Sequence, residues 1–196
     1  MMITQTDPFS SDAAFDALFP IYIHELSPLH FTALHVAQIA SAFLAPDENA
    51  RVIDIGAGIG KFCIAGSHFT KGHFTGIEQR QHFVRIGNKV IKRLGLDRVE
   101  LLHCNFTDFN LQGYTGIYFY NSFHENLVFS DVLDKKEEFS TELYELYTAH
   151  FLKQLNAMHI GTRLATYWLD MTEIPGSYQL VETHFGDKLK LWMKVG

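Results

Sequence analysis

The chain has 196 residues, 47% hydrophobic and 14% aromatic, with 17 Phe and 8 Tyr, which excludes a disordered polymer and favours one domain with a sizeable core. Its formal net charge is −6, and its 16 Lys and Arg are spread along the chain rather than clustered. A broad basic face for phosphate backbones is therefore not expected, which argues against DNA or large structured RNA as a partner.

From Met1 to Pro8 there is neither the cationic start nor the apolar run of a signal peptide, and no window approaches membrane-spanning length. The two cysteines, Cys63 and Cys104, form no disulfide framework. A cytoplasmic protein with no membrane partner is the expectation. Pro8, Pro20 and Pro28 break up the first 28 residues, so only short helical pieces such as Asp12 to Leu18 are expected there. With Thr32 as candidate N-cap, Leu34, Val36, Ala37, Ile39, Ala40, Phe43 and Leu44 then predict a helix apolar on most of its circumference, ended by Pro46-Asp47-Glu48-Asn49. Residues 1–50 read as an N-terminal helical cap segment and residues 51–196 as the domain it covers. No linker separates them.

Arg51 to Ile55 predicts a buried strand running into glycines at 56, 58 and 60 and a helix from near Ile59. His73 to Glu78 is a second strand ending on an acid. A helix follows, with Phe83, Ile86, Gly87, Val90, Ile91 and Leu94 on one stripe and Gly95 as its C-cap. Val99 to His103 and Gly116 to Tyr120 predict the third and fourth strands, the latter uncharged as a doubly covered strand should be. A loop to about Lys136, a helix from about Ser140 to Ala157 and a strand over Thr162 to Leu169 come next. Tyr178 to Phe185 and Lys188 to Val195 predict a hairpin turning at Gly186-Asp187. The alternation implies an α/β fold: a seven-stranded, mostly parallel sheet with an antiparallel terminal hairpin and helices on both faces.

The candidate site residues lie at the strand ends, where α/β sheets bind ligands. Asp54 is placed either to tie the glycine turn together or to contact a ligand. Glu78, 22 residues after Gly56, is placed to accept hydrogen bonds from a ribose. His124 and Glu125 follow the fourth strand and are the nearest candidates for a general base, against the plainer reading of a solvated loop pair. His30, Phe31 and Thr32 either close the site from the N-terminal side or serve as cap and packing residues. A dinucleotide fingerprint places its third glycine five residues after the first, where this chain has Lys61. His24-Glu25 and His124-Glu125 lack the second histidine of a zincin, Gly60-Lys61 lacks the rest of a P-loop, and no metal site is expected.

With Asp54 two residues ahead of Gly56, and with Gly58 and Gly60 following, the turn resembles the first motif of class I S-adenosylmethionine-dependent methyltransferases. The terminal hairpin is similar to theirs, although only Asp170 to Ser177 is available where that family usually has a helix. The resemblance implies a Rossmann-like fold and S-adenosyl-L-methionine as cofactor, held by Asp54, Gly56, Ala57, Gly58, Gly60, Glu78 and Gln79. Asn105 would stand in for the family's acid as acceptor from the adenine amino group, with Phe106 on the ring. Over residues 51–123 the chain is also similar to the non-SET histone-lysine methyltransferases, whose Asn-Asn-Phe segment matches Asn121-Ser122-Phe123. By that resemblance Lys61 would reach the cofactor's methionine end and Asn121 would line the methyl-transfer channel. The implied function is methyl transfer to an unidentified acceptor, with a small molecule or protein side chain favoured over nucleic acid. The alternatives are a nicotinamide-dependent oxidoreductase and a non-catalytic S-adenosylmethionine-binding module.

Overall fold

The computed structural model describes residues 7–123, 140–169 and 174–196. Seven strands form one sheet in the order β3-β2-β1-β4-β5-β7-β6. They are β1 (Arg51–Ile55), β2 (His73–Glu78), β3 (Val99–His103), β4 (Gly116–Tyr120), β5 (Arg163–Tyr167), β6 (Tyr178–His184) and β7 (Leu189–Lys194). Pairing is parallel throughout β3-β2-β1-β4-β5, and β7 alone runs against its neighbours β5 and β6. The strand order reverses between β1 and β4, so the crevice at their C-terminal ends is where an α/β sheet opens to a ligand.

Alternate residues along β1 divide the core into two layers. Val52 joins Phe74, Leu101, Tyr118, Ala165 and Leu191 on one face. Helices α1 (Asp12–Asp16), α2 (Ile21–His30), α3 (Leu34–Leu44), α4 (Lys61–Phe69) and α5 (Gln81–Leu94) supply that layer with Phe15, Ile23, Val36, Phe62 and Phe83. On the other face Ile53 and Ile55 join Ile117, Phe119 and Leu164 beneath α6 (Thr141–Ala157), which contributes Tyr147, Phe151 and Leu155. Helices thus cover both faces. Among the described residues none lies between β5 and β6.

Local differences from the sequence-based boundaries have physical causes. α2 is a ten-residue helix that contains Pro28, where only short pieces were expected. Pro28 sits in its last turn, so the missing N–H costs a single helical bond near an end that frays in any case. Thr32 does not cap α3. Ala33 holds the cap position, and the first N–H group, on Leu34, donates instead to Asp12 Oδ1 at 3.0 Å. α4 starts at Lys61 rather than near Ile59 because Gly60 at its N-cap has φ +79°. The terminal hairpin turns through residues 185–188, with Phe185, Gly186 and Asp187 all left-handed.

α5 comes close to the glycine turn through Gly87. A Cβ there would collide with the Leu101 side chain and with the backbone carbonyl of Ile59. In an isolated helix Gly→Ala adds about 1 kcal/mol of stability, whereas overpacking against fixed backbone costs about 1–3 kcal/mol. Gly87→Ala is therefore expected to lower the urea midpoint despite its better helix propensity. An unchanged or raised midpoint would mean that α5 can retreat from the turn without loss.

Candidate functional site

The turn joining β1 to α4 is held from beneath and enclosed by side chains. Gly56 N–H and Ala57 N–H both donate to the Ile77 carbonyl of β2 at 2.9 Å, and Gly60 N–H donates to the Ala57 carbonyl at 2.8 Å. Gly56 and Gly58 have φ of +75° and +56°, a conformation that L side chains rarely adopt. Space is equally limiting: a Cβ on Gly56 would meet Ser122 Cβ at 2.5 Å, and one on Gly58 would meet the Phe31 ring at 2.7 Å.

Two pockets meet at Gly56. One is a cleft open to solvent, bordered by Glu78, Gln79, Arg80, Cys104, Phe106, Phe123 and Tyr147. The other is bordered by His30, Phe31, Thr32, Asp54, Ala57, Lys61, Tyr118 and Tyr120. They lie on the two sides of this shared residue at the C-terminal edge of the sheet, as the two halves of a candidate trough. The sequence candidates Asp54, Gly56, Ala57, Glu78, Gln79 and Phe106 lie along it, as do His30, Phe31 and Thr32.

Asp54 is 4% exposed, and the hydrogen bond it receives comes from the Cys63 thiol at 3.8 Å. Burial pushes its carboxyl up to about 8, opposed by the Cys63 hydrogen bond and reinforced by the negative charge of Glu78. Burial and the Asp54 charge also push the Cys63 thiol up. No ion pair to Asp54 occurs among the described residues. A buried acid facing a pocket with no cation beside it fits an ammonium group entering from that pocket.

Glu78 is 3% exposed and already holds three donors. Its Oε2 accepts Gly58 N–H at 3.0 Å, and its Oε1 accepts Arg80 N–H at 2.8 Å and the Arg80 guanidinium at 3.3 Å. A carboxylate offers about four lone-pair directions, so Glu78 has room for one further hydroxyl rather than two. Gln79, half-buried beside it, uses its carbonyl to accept from His103 Nε2 at 2.9 Å.

Asn105 is engaged within the protein. Its Oδ1 accepts from Thr107 N–H and Thr107 Oγ1, both at 3.0 Å, and caps the short 3-10 turn Phe106–Asp108. Its Nδ2 donates to Tyr147 Oη at 2.9 Å, tying the end of β3 to α6. Both carbonyl lone pairs are spent, which leaves no acceptor for an adenine amino group. Phe106 does enter the cleft, stacked on Phe123 with ring centres 5.6 Å apart, while Tyr147 stacks on Phe123 at 5.4 Å.

Lys61 is engaged likewise. It borders the Asp54 pocket, but its ammonium is engaged by Asp12 and Asp16, each at 2.8 Å, and by Ser27 Oγ at 2.9 Å. In this arrangement the ammonium is turned to the N-terminal helices. Asn121, at the end of β4, has φ +40°, a left-handed strain that an asparagine tolerates better than most residues. Beside it Ser122 Oγ donates to the Ile55 carbonyl at 2.5 Å, which seats the end of β4 on Gly56. His124 and Glu125 lie outside the described residues.

Tyr118 and Tyr120 close the far end. Tyr118 Oη and Thr32 Oγ1 share a hydrogen bond of 2.9 Å, and Tyr120 Oη donates to the Leu29 carbonyl at 3.4 Å. Burial raises the Tyr118 phenol well above its ordinary range and pushes Tyr120 up to about 12, the latter helped by Tyr167. Both stay protonated at neutral pH. Sequence reasoning missed the wall residues Ser122, Arg80 and Tyr147. The first two are neighbours in sequence of residues it did single out, but Tyr147 carries only a helical packing signal.

A family model described as a methyltransferase domain matches residues 46–155. No sequence among curated proteins matches the chain. Among solved structures, an RNA methyltransferase from Salinibacter ruber in complex with S-adenosyl-L-homocysteine is similar at 19% identity, over 89% of this chain and 92% of that one, with a TM-score of 0.54. A SAM-dependent methyltransferase from Aquifex aeolicus is similar at 16% identity, over 82% and 89%, with a TM-score of 0.55. The (4+2)-cyclase SpnF is similar at 16% identity over 68% of this chain, which spans only 43% of that protein, with a TM-score of 0.52. At these identities the likeness is one of fold.

Asp54 makes stability depend on pH in a defined direction. Its carboxyl moves from an ordinary 3.8 to about 8 on folding, so between those values the folded state keeps a proton that the unfolded chain has released. Its contribution to stability therefore declines as pH rises from about 4 to about 8 and levels off above that. Asp54→Asn is expected to flatten this decline, and at pH 8 to raise the free energy of unfolding by an amount on the order of a few kcal/mol. Urea titrations of both proteins at pH 5, 6.5 and 8 check it; parallel pH profiles would show that Asp54 is not the group responsible.

Proposed function

We propose that this chain, which belongs to the methyltransferase-domain family, is an S-adenosyl-L-methionine-dependent methyltransferase whose acceptor is a small molecule or a protein side chain rather than a nucleic acid. The observation that carries the donor's placement is the pair of pockets sharing Gly56, with a buried carboxyl that has no ion pair among the described residues at one end and an acid and an aromatic wall at the other. S-adenosyl-L-methionine, when bound, supplies a methyl group already activated by its positively charged sulfur. The protein's work is then to hold the donor, align the acceptor and keep water out.

In this reading Asp54 takes the donor's ammonium group, and Glu78 accepts one ribose hydroxyl while its other lone pairs fix Gly58 and Arg80. Phe106 packs against the adenine face, supported from behind by Phe123. Gly56 and Ala57 let the donor pass close to the backbone. Asn121, which borders neither pocket, is assigned to the methyl-transfer channel on its place after β4 and on the sequence resemblance alone. His124 and Glu125, next in the chain, keep their role as candidates for removing a proton from the acceptor. A chain of net charge −6 whose basic residues are not clustered suits an uncharged or cationic acceptor better than a phosphate backbone.

Family membership sets aside the nicotinamide reading. The non-catalytic module is favoured by one observation, the loss of Asn105 as an adenine acceptor. Tight donor binding with no transfer of labelled methyl to any metabolite or protein fraction would establish that reading and refute catalysis.

Calorimetry with S-adenosyl-L-homocysteine, which keeps the ammonium and ribose, should give binding that weakens about tenfold or more in Glu78→Gln and in Phe106→Ala. Wild-type affinity should rise from pH 6.5 to 8, by at most about tenfold per unit, because the ammonium competes with a proton for Asp54. Absent binding, or binding indifferent to both substitutions and to pH, would remove this site from the reading.

A further inference from the structure

Lys61 opens α4 directly after the glycine turn, yet its side chain is 2% exposed and buried beneath the N-terminal helices. Its ammonium meets Asp12 Oδ1 and Asp16 Oδ1 of α1, each at 2.8 Å, and Ser27 Oγ of α2 at 2.9 Å, and lies 5.5 Å from the centre of the Phe15 ring. Asp12 Oδ1 also accepts the first N–H of α3, from Leu34, at 3.0 Å. One cation therefore gathers α1, α2 and the start of α3 onto the residue that follows Gly60. Burying an ammonium costs several kcal/mol unless partners of this quality surround it, and losing the cation would leave Asp16 buried and unpaired.

What these helices place is the connection His30-Phe31-Thr32, which walls the Asp54 pocket. Phe31 occupies the space where Gly58 lacks a Cβ, and Thr32 shares a hydrogen bond with Tyr118. At the other pocket, on the Glu78 and Phe106 side, no residue of α1 or α2 forms part of the wall. The tether therefore bears on one half of the trough.

We propose that Lys61 is a positioning residue: through Asp12, Asp16 and Ser27 it holds the N-terminal helices so that His30 to Thr32 close over the amino-acid half of the donor. This rests on the donor assignment proposed above. Lys61 then governs affinity for the amino-acid half and leaves the adenosine half untouched, which a merely structural ion pair would not do.

The test compares S-adenosyl-L-homocysteine with adenosine, which lacks the amino-acid half, by calorimetry on the full chain. Lys61→Met keeps the unbranched stem and most of the length of the side chain without its charge. Lys61→Met combined with Asp16→Asn removes the stranded carboxylate as well, and serves where the single variant folds poorly. Homocysteine-bearing ligand should lose about tenfold or more in affinity while adenosine changes by less than about threefold. An affinity ratio that stays put, whether both ligands weaken together or neither does, overturns the proposal. Hydrogen exchange gives a second readout that needs no ligand: amides of residues 21–31 should exchange faster in the variant while those of β1 and β2 do not. Should the wild-type protein bind neither ligand, the donor assignment falls and the exchange pattern alone decides the tether. Uniform or unchanged exchange would overturn it.

Discussion

The turn between β1 and α4 has no room for side chains, and the rest of the site follows from that. Ser122 fills the space above Gly56, Phe31 the space above Gly58, and Leu101 the space beside Gly60. These three residues come from the end of β4, the α2–α3 connection and β3, so each glycine is a docking point for a different part of the chain. The close fit decides where both pockets begin. Gly56 borders each of them because Ser122 rests on it, and the Asp54 pocket has a wall because Phe31 rests on Gly58. A substitution in the turn would act twice, through a left-handed backbone and through displacement of a wall residue.

The same enclosure explains the state of Asp54. Once the turn, Tyr118 and Phe62 surround it, its charge is desolvated and the carboxyl holds its proton far more tightly than in water. Such a group is a cost to folding, retained where its charged form is needed at another moment. Donor binding is that moment in the reading proposed here: an incoming ammonium replaces the proton, and interactions in a desolvated pocket are stronger than at the surface. The residue that most burdens the empty fold is thus the one that gains most from the ligand, a trade common at functional sites.

How much of this was legible in the sequence depends on the range over which each residue acts. Strand identities, the left-handed turn and the acid at Glu78 were legible because period, glycine spacing and separation along the chain are local quantities. The end of β4 was legible as a position, since Asn121 follows a run of apolar and aromatic residues. The engagement of Asn105 and Lys61 was not legible: Thr107, two residues on, takes the Asn105 carbonyl, and each side chain also meets a partner far along the chain. Tyr147 lies 42 residues from Asn105, and Asp16 lies 45 residues from Lys61. A motif states which residue type stands beside a ligand. It does not state whether that residue's hydrogen bonds are already spent. α2 differed for the opposite reason, since Pro28 weighs heavily in a local reading but costs little in the last turn of a helix packed through Ile23 and Ser27.

Counting free acceptors changes the picture of how the donor is held. Asn105 has none left, and Glu78 has about one. Directional recognition along the adenosine half is therefore sparse, and the aromatic wall of Phe106, backed by Phe123 and Tyr147, must supply most of the attraction there. At the other half one buried charge does the selecting, and its strength depends on how well His30 to Thr32 exclude water from it. Shape holds one end and charge the other. In the reading proposed here that division makes the N-terminal helices part of the binding site, because the wall that keeps water from Asp54 is held from α1 and α2, through the cation of Lys61.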